Sequence, residues 1–207
     1  MIYEFRIYTL TTGAMPKVLE MFGEAYEYRK KYSELAAFWK TEFGPLNQII
    51  HVWPYENMKH RDEVRAAAVK DPNWPPGFSK LGLVADQRSD IFHLATNCEF
   101  SPPGKYGPIY ELRDYTVKIG MMPKFLNIWE SAIGKRKEFS PLTAALYTEL
   151  GGLNRFIHIW PYESYERRAE VRTEAIKSGN WPPKGGAACV ERQDNMILTP
   201  ATFSPLQ

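Results

Sequence analysis

The chain is written twice. Residues 2–22 (IYEFRIYTLTTGAMPKVLEMF) match 109–129 (IYELRDYTVKIGMMPKFLNIW), 41–56 match 148–163, and Asn73-Trp74-Pro75-Pro76 matches Asn180-Trp181-Pro182-Pro183. The offset is 107 each time, no gap is needed from Ile2 to Pro76, and about half of these positions are identical. Past Pro76 the register slips. Gln87–Asp90 resembles Glu191–Asp194 at an offset of 104, which predicts a loss of three residues in the second copy's loop after Trp-Pro-Pro. A period this long, occurring twice, marks a duplicated domain and excludes a solenoid of short units. The expected division is 1–101 and 108–207, joined by 102–107, where Pro and Gly interrupt helix and ladder alike.

Each copy reads β-α-β-β-α-β. Residues 2–10 alternate polar with Tyr, Phe and Ile, a strand pattern. Pro16 suits a first helical turn, and Met15, Val18, Leu19, Phe22 and Ala25 follow on one helical face. Residues 35–41 and 47–53 predict two strands around a Gly-Pro turn, and Asn57 or Ser164 predicts the cap of the next helix. Last strands are expected over 88–96 and 192–199. This is the ferredoxin-like α+β arrangement, with both helices on one sheet face. Its other face is bare and apolar, and a tethered second copy is its nearest partner. Two such sheets meeting face to face would make an intramolecular dimeric α+β barrel.

Strand periodicity then sorts the chemistry. Glu4, Arg6 and Tyr8 share one face of the first strand; Asn47, His51 and Trp53 share one face of the third. These strands are central neighbours in the expected sheet, so the six side chains would converge. The second copy repeats them as Glu111, Arg113, Tyr115, Asn154, His158 and Trp160. In such a cluster Arg6 and Arg113 would hold an anionic group, Trp53 and Trp160 would stack on a ring, and Tyr8, Tyr115, Asn47 and Asn154 would contact the ligand. His51, His158, Glu4 or Glu111 would serve as acid or base. The plainer reading stands beside it: Glu4 and Arg6 pair with each other, and the histidines are satisfied core residues. Arg61 and Arg65, repeated at 168 and 172, lie four apart and could clamp a carboxylate, or form surface ion pairs. The basic runs Arg29–Lys31 and Lys135–Lys137 read as solvated helix ends, and the Trp-Pro-Pro loops as plugs over a core edge.

Several classes are excluded from expectation. With 26 basic and 24 acidic residues there is no basic excess to drive nucleic-acid binding. No apolar run reaches membrane-spanning length, and residues 1–10 lack the order of an export signal, so a cytoplasmic protein with two free thiols, Cys98 and Cys189, is expected. No glycine-rich phosphate loop, nucleophile elbow or metal-ligand spacing is present, so neither cofactor nor metal is expected. The partner expected is a small molecule, with further pairing into a homodimer as a weaker expectation.

The motifs Tyr-Glu-Phe-Arg-Ile-Tyr at 3–8, Tyr-Glu-Leu-Arg-Asp-Tyr at 110–115, and the downstream His-x-Trp-Pro-Tyr-Glu with its Trp-Pro-Pro loop resemble NIPSNAP domains, twice and over nearly the whole chain. That resemblance implies the dimeric α+β barrel fold. The wider fold group includes cofactor-independent monooxygenases, dehydratases, haem degraders and polyketide cyclases, whereas organellar NIPSNAP members are spoken of as adaptors. Two functions therefore stand at this stage: a binder of anionic or aromatic metabolites with lyase, isomerase or oxygenase chemistry, and a non-catalytic interaction module.

Overall fold

A computed structural model describes all residues 1–207. The order is β1 (Ile2–Leu10), α1 (Met15–Arg29), β2 (Ala37–Phe43), β3 (Gln48–Tyr55), α2 (Met58–Ala68), β4 (Val84–Leu94), then β5 (Ile109–Val117), α3 (Met122–Lys137), β6 (Ala144–Leu150), β7 (Arg155–Tyr162), α4 (Tyr165–Lys177) and β8 (Val190–Pro200). The β-α-β-β-α-β order is as the pattern predicts. Asn57 and Ser164 accept from the backbone N–H three residues on and cap α2 and α4, and Pro16 and Pro123 stand in the first turns of α1 and α3.

The two sheets do not remain separate. The strand order β1-β3-β2-β8-β5-β7-β6-β4 is one closed barrel, because β2 pairs with β8 and β4 with β6 across the halves. An open edge exposes unpaired N–H and C=O groups, and two four-stranded sheets of matching twist can satisfy all four edges by joining. The bare faces thus become the barrel interior, filled by Tyr3, Phe5, Trp39, Val52, Phe92 and their counterparts Tyr110, Leu112, Leu146, Ile159 and Leu198. Alternation sends Tyr8, Ile49 and Trp53 outward, under α1; Phe156, Trp160 and Ile197 lie under α3.

Ladder register corrects the repeat. Tyr8 sits opposite Gln87 and Tyr115 opposite Gln193; Glu4 opposite Ile91 and Glu111 opposite Ile197. The last strands therefore correspond at an offset of 106, and the second loop is one residue shorter, not three. The short match of Gln87–Asp90 to Glu191–Asp194 followed two polar identities, whereas the ladder follows which residues must face the core.

Candidate functional site

On the outer face of the sheet, each half has a cavity between its first helix and its Trp-Pro-Pro loop. The first-half cavity is about 230 Å³ and is lined by Arg6, Tyr8, Phe22, Arg29, His51, Trp53, Arg65, Trp74 and Gln87, among others. The second-half cavity is about 220 Å³ and repeats this set as Arg113, Tyr115, Trp129, Arg136, His158, Trp160, Arg172, Trp181 and Gln193. Strands β1 and β3 supply Arg6, Tyr8, His51 and Trp53, which the pleat places on one face. The Trp-Pro-Pro loops line the cavities and do more than plug a core edge.

Glu4 lies beneath the cavity, fully buried, with four polar groups around it. Arg61 donates to both carboxylate oxygens at 3.0 and 2.8 Å, Ser89 Oγ donates at 2.8 Å, Arg6 Nη1 at 3.1 Å, and Arg65 stands at 3.5 Å. Glu111 is held in the same way by Arg168, Arg113, Arg172 and Asn195. Burial, the largest single influence on Glu4, pushes its pKa up, but the bond from Arg61 and the charges of Arg65 and Arg6, with Ser89, together bring it down to about 2. Glu111 is lowered by the equivalent partners. Neither carboxylate is a free base, and neither arginine pair on α2 or α4 is a surface salt bridge: both reach into the buried carboxylate.

His51 and His158 are neutral. Burial first, then the positive charge of Arg6 or Arg113, holds each well below the usual imidazole range. Trp53 Nε1–H donates to His51 Nδ1 at 2.7 Å, and Trp160 Nε1–H to His158 Nδ1 at 2.6 Å. An indole N–H can only donate, so Nδ1 is the acceptor and the proton resides on Nε2. Nε2 is buried and has no partner in either ring. The expected role of these histidines as bases does not suit this tautomer, since the lone pair is already engaged. What each ring retains is one unspent donor.

Two residues that the sequence reading left in solvent belong here. Arg29 and Arg136 are 2% and 3% exposed. Each stacks on an indole, Arg29 over Trp53 at 4.3 Å and Arg136 over Trp160 at 4.0 Å. Each donates to a tyrosine hydroxyl, Tyr55 at 3.1 Å or Tyr162 at 3.2 Å, and to Ser33 or Ser140. Their ion partners are the notable gap: no carboxylate lies within salt-bridge distance of either. Two signals could have found them. Both fall at the 107 offset, and Arg29 continues the buried stripe Val18, Phe22, Ala25. Asn47 and Asn154, by contrast, line neither of these cavities. They take positive φ of 56° and 58° just before β3 and β7, and their carbonyls accept from Leu10 and Val117. They shape the turn, a conformation asparagine tolerates.

Around each cavity, then, three guanidiniums line the wall amid Trp, Phe and Tyr: two of them share one carboxylate that a further arginine, Arg61 or Arg168, already engages, and the third, Arg29 or Arg136, pairs with none. Such a site can accept an anion with a flat apolar body.

Comparison with known proteins agrees with the duplication. The NIPSNAP family model matches residues 3–102 and again 110–205. The chain is 35% identical to human Protein NipSnap homolog 3A over 216 aligned positions, covering 99% of this chain and 85% of that protein. It is 33% identical to mouse Protein NipSnap homolog 3B over the same shares. Among solved structures, a Fusobacterium nucleatum protein described as a candidate monooxygenase superimposes with a TM-score of 0.73, covering 97% of this chain and 92% of its own, at 8% identity. That likeness is one of fold.

Proposed function

The chain belongs to the NIPSNAP family, and on that premise we propose that it binds a small aromatic or enolic anion in each of its two cavities. The observation that carries this is Arg29 with its counterpart Arg136: a buried guanidinium facing a cavity with no carboxylate of its own, in both halves. A desolvated cation without a counter-ion is costly, and an anionic ligand would supply the missing charge. The buried Nε2–H of His51 or His158 would donate to a ligand oxygen, and the indoles of Trp53 and Trp74, or Trp160 and Trp181, would cover its ring. The Trp-to-His hydrogen bond keeps the imidazole a donor. If the site does chemistry, its residues stabilise negative charge on a bound oxygen and leave proton abstraction to something other than Glu4 or His51. Isomerase, lyase or cofactor-free oxygenase reactions of an already anionic substrate fit that division.

Titration calorimetry with 2-naphthoate and with the neutral naphthalen-2-ylmethanol tests the reading. Two sites per chain are expected for the carboxylate, at least about tenfold tighter than for the alcohol. Arg29→Gln and Arg136→Gln should each abolish one site. Equal affinity for acid and alcohol would overturn the proposal.

A further inference from the structure

One wall of the first-half cavity is backed by the far end of the chain. Phe22 forms one wall, with ring centroids 5.1 Å from His51 and 5.6 Å from Trp74. On its other side lies Phe203, nearly parallel to Phe22 at 5.8 Å and against Phe38 at 4.8 Å. Phe203 follows β8, so it belongs to the second half. It is held there by its neighbours: Ser204 Oγ accepts from Phe38 N–H at 3.0 Å, and Leu206 is buried in the barrel core.

The second-half cavity solves the same problem differently. Where the first half has Phe22, it has Trp129, whose larger ring sits 4.8 Å from His158 and 5.1 Å from Trp181. The position matching Phe203 at the ladder offset is Asn97, which donates to Glu130 at 2.6 Å. Glu130 matches Gly23, and a Cβ at Gly23 would come within 3.0 Å of the Phe203 ring. Three positions have therefore changed together: a smaller wall ring with a glycine and an aromatic buttress at one cavity, an indole with an Asn–Glu pair at the other. The bulk that Trp129 supplies from within its own half is supplied to the first half by Phe203.

Resting on the proposed ligand reading, we propose that Phe203 is a positioning residue for the first-half cavity alone, so that this cavity is complete only when the C-terminal segment 202–207 is docked on α1. Removing its ring lets Phe22 relax away from the ligand face, while the second-half wall, Trp129, packs with Cys98 and does not involve Phe203.

The test measures 2-naphthoate binding to Phe203→Ala in two full-length backgrounds. Arg136→Gln leaves the first-half cavity to be read alone, and Arg29→Gln leaves the second. The expected result is about fivefold weaker binding in the first background and no change in the second. Phe203→Leu, which keeps part of the bulk, should restore part of the affinity. Unchanged affinity in the first background overturns the proposal, as does equal weakening in both, which would mark a general loss of stability. Failure of the unmutated protein to bind 2-naphthoate at all would instead overturn the reading of the cavities, and this proposal with it.

Discussion

A buried arginine with no acidic partner is a stability cost that a fold removes unless something else requires it. Arg29 and Arg136 make good hydrogen bonds and stack on Trp53 and Trp160, yet neither forms an ion pair, and the acids whose charge reaches them, Glu4 and Glu111, are already engaged by three other arginines each. Replacing such an ion with an apolar side chain of similar length is commonly neutral or stabilising. Arg29→Met should therefore melt no lower than the unmutated chain while losing 2-naphthoate at the first-half cavity. A fall of several degrees in Tm, measured by calorimetry, would show that the guanidinium is structural. The histidines give a second expectation. With the folded pKa of His51 and His158 far below the unfolded value of 6.5, both rings stay neutral in the native state, and nitrogen NMR should find protons on Nε2 unchanged from pH 8 to pH 5.5. As pH falls through the unfolded value, protons bind the unfolded chain only, so these two residues weaken the fold on the acid side. Much of this cluster was legible from strand alternation, which put Glu4, Arg6, Tyr8, His51 and Trp53 on one face. Their roles were not, because a role depends on which lone pair and which charge a neighbour has already engaged. Arg29 was misread for a related reason: basic residues at a helix end usually face water, and only its place on the buried stripe and its repeat at Arg136 said otherwise.

At the scale of elements, Glu4 and Glu111 tie the outer helices to the barrel. Helix α2 buries little apolar surface of its own, Ala68 being its one buried residue, and its contact with β1 runs through Arg61 and Arg65 to Glu4. Glu4→Gln would leave those guanidiniums without their counter-charge, and a loss of about 3 kcal/mol is expected. Hydrogen exchange should speed first in α2, with α1 less affected. Acid should act along the same line. The folded pKa of Glu4 is about 2 against 4.5 unfolded, so its stabilisation is complete above the unfolded value and lost as pH falls toward 2. A urea midpoint that stays level from pH 6 to pH 2 would contradict this. Helix and strand identities were readable because their periods differ, and the caps at Asn57 and Ser164 were readable because few other residues do that work. The correspondence of β4 with β8 was not, since each strand's register is decided by its partner, β1 or β5, and four polar letters carry little of it.

The whole molecule has two junctions between its halves, and they are built from different chemistry. Where β4 meets β6, Asp90 is buried and pairs with Arg155, which also binds Asp114, and the Gly152 N–H donates to Asp90 at 3.2 Å. Where β8 meets β2, the matching positions are Met196, Gln48, Ile7 and Pro45, gathered at one lining. Proline has no N–H, so nothing is left unpaired where Asp90 is replaced by Met196. The four positions form two self-consistent sets. Pairing of like halves from two chains would mix them, setting Asp90 beside Pro45 and Gln48 with only the half-exposed Arg88 as its cation, or Arg155 beside Met196 with only Asp114, and each mixture loses the Asp90–Arg155 pair. The difference therefore favours a half closing on its unlike partner, which in one chain is the tethered one. Arg155→Gln alone should destabilise by about 3 kcal/mol, because it leaves Asp114 without a cation and the buried Asp90 with only the half-exposed Arg88. The quadruple change Asp90→Met, Asp114→Ile, Gly152→Pro, Arg155→Gln copies the other junction and should recover stability to within about 1 kcal/mol. It should also remove the discrimination. Refolded at high concentration, the quadruple variant is expected to give more dimer by size-exclusion chromatography than the unmutated chain, since like and unlike halves would then close equally well. An unchanged monomer fraction, with stability recovered, would mean that the short linker alone directs closure and that the ion cluster serves only its own junction.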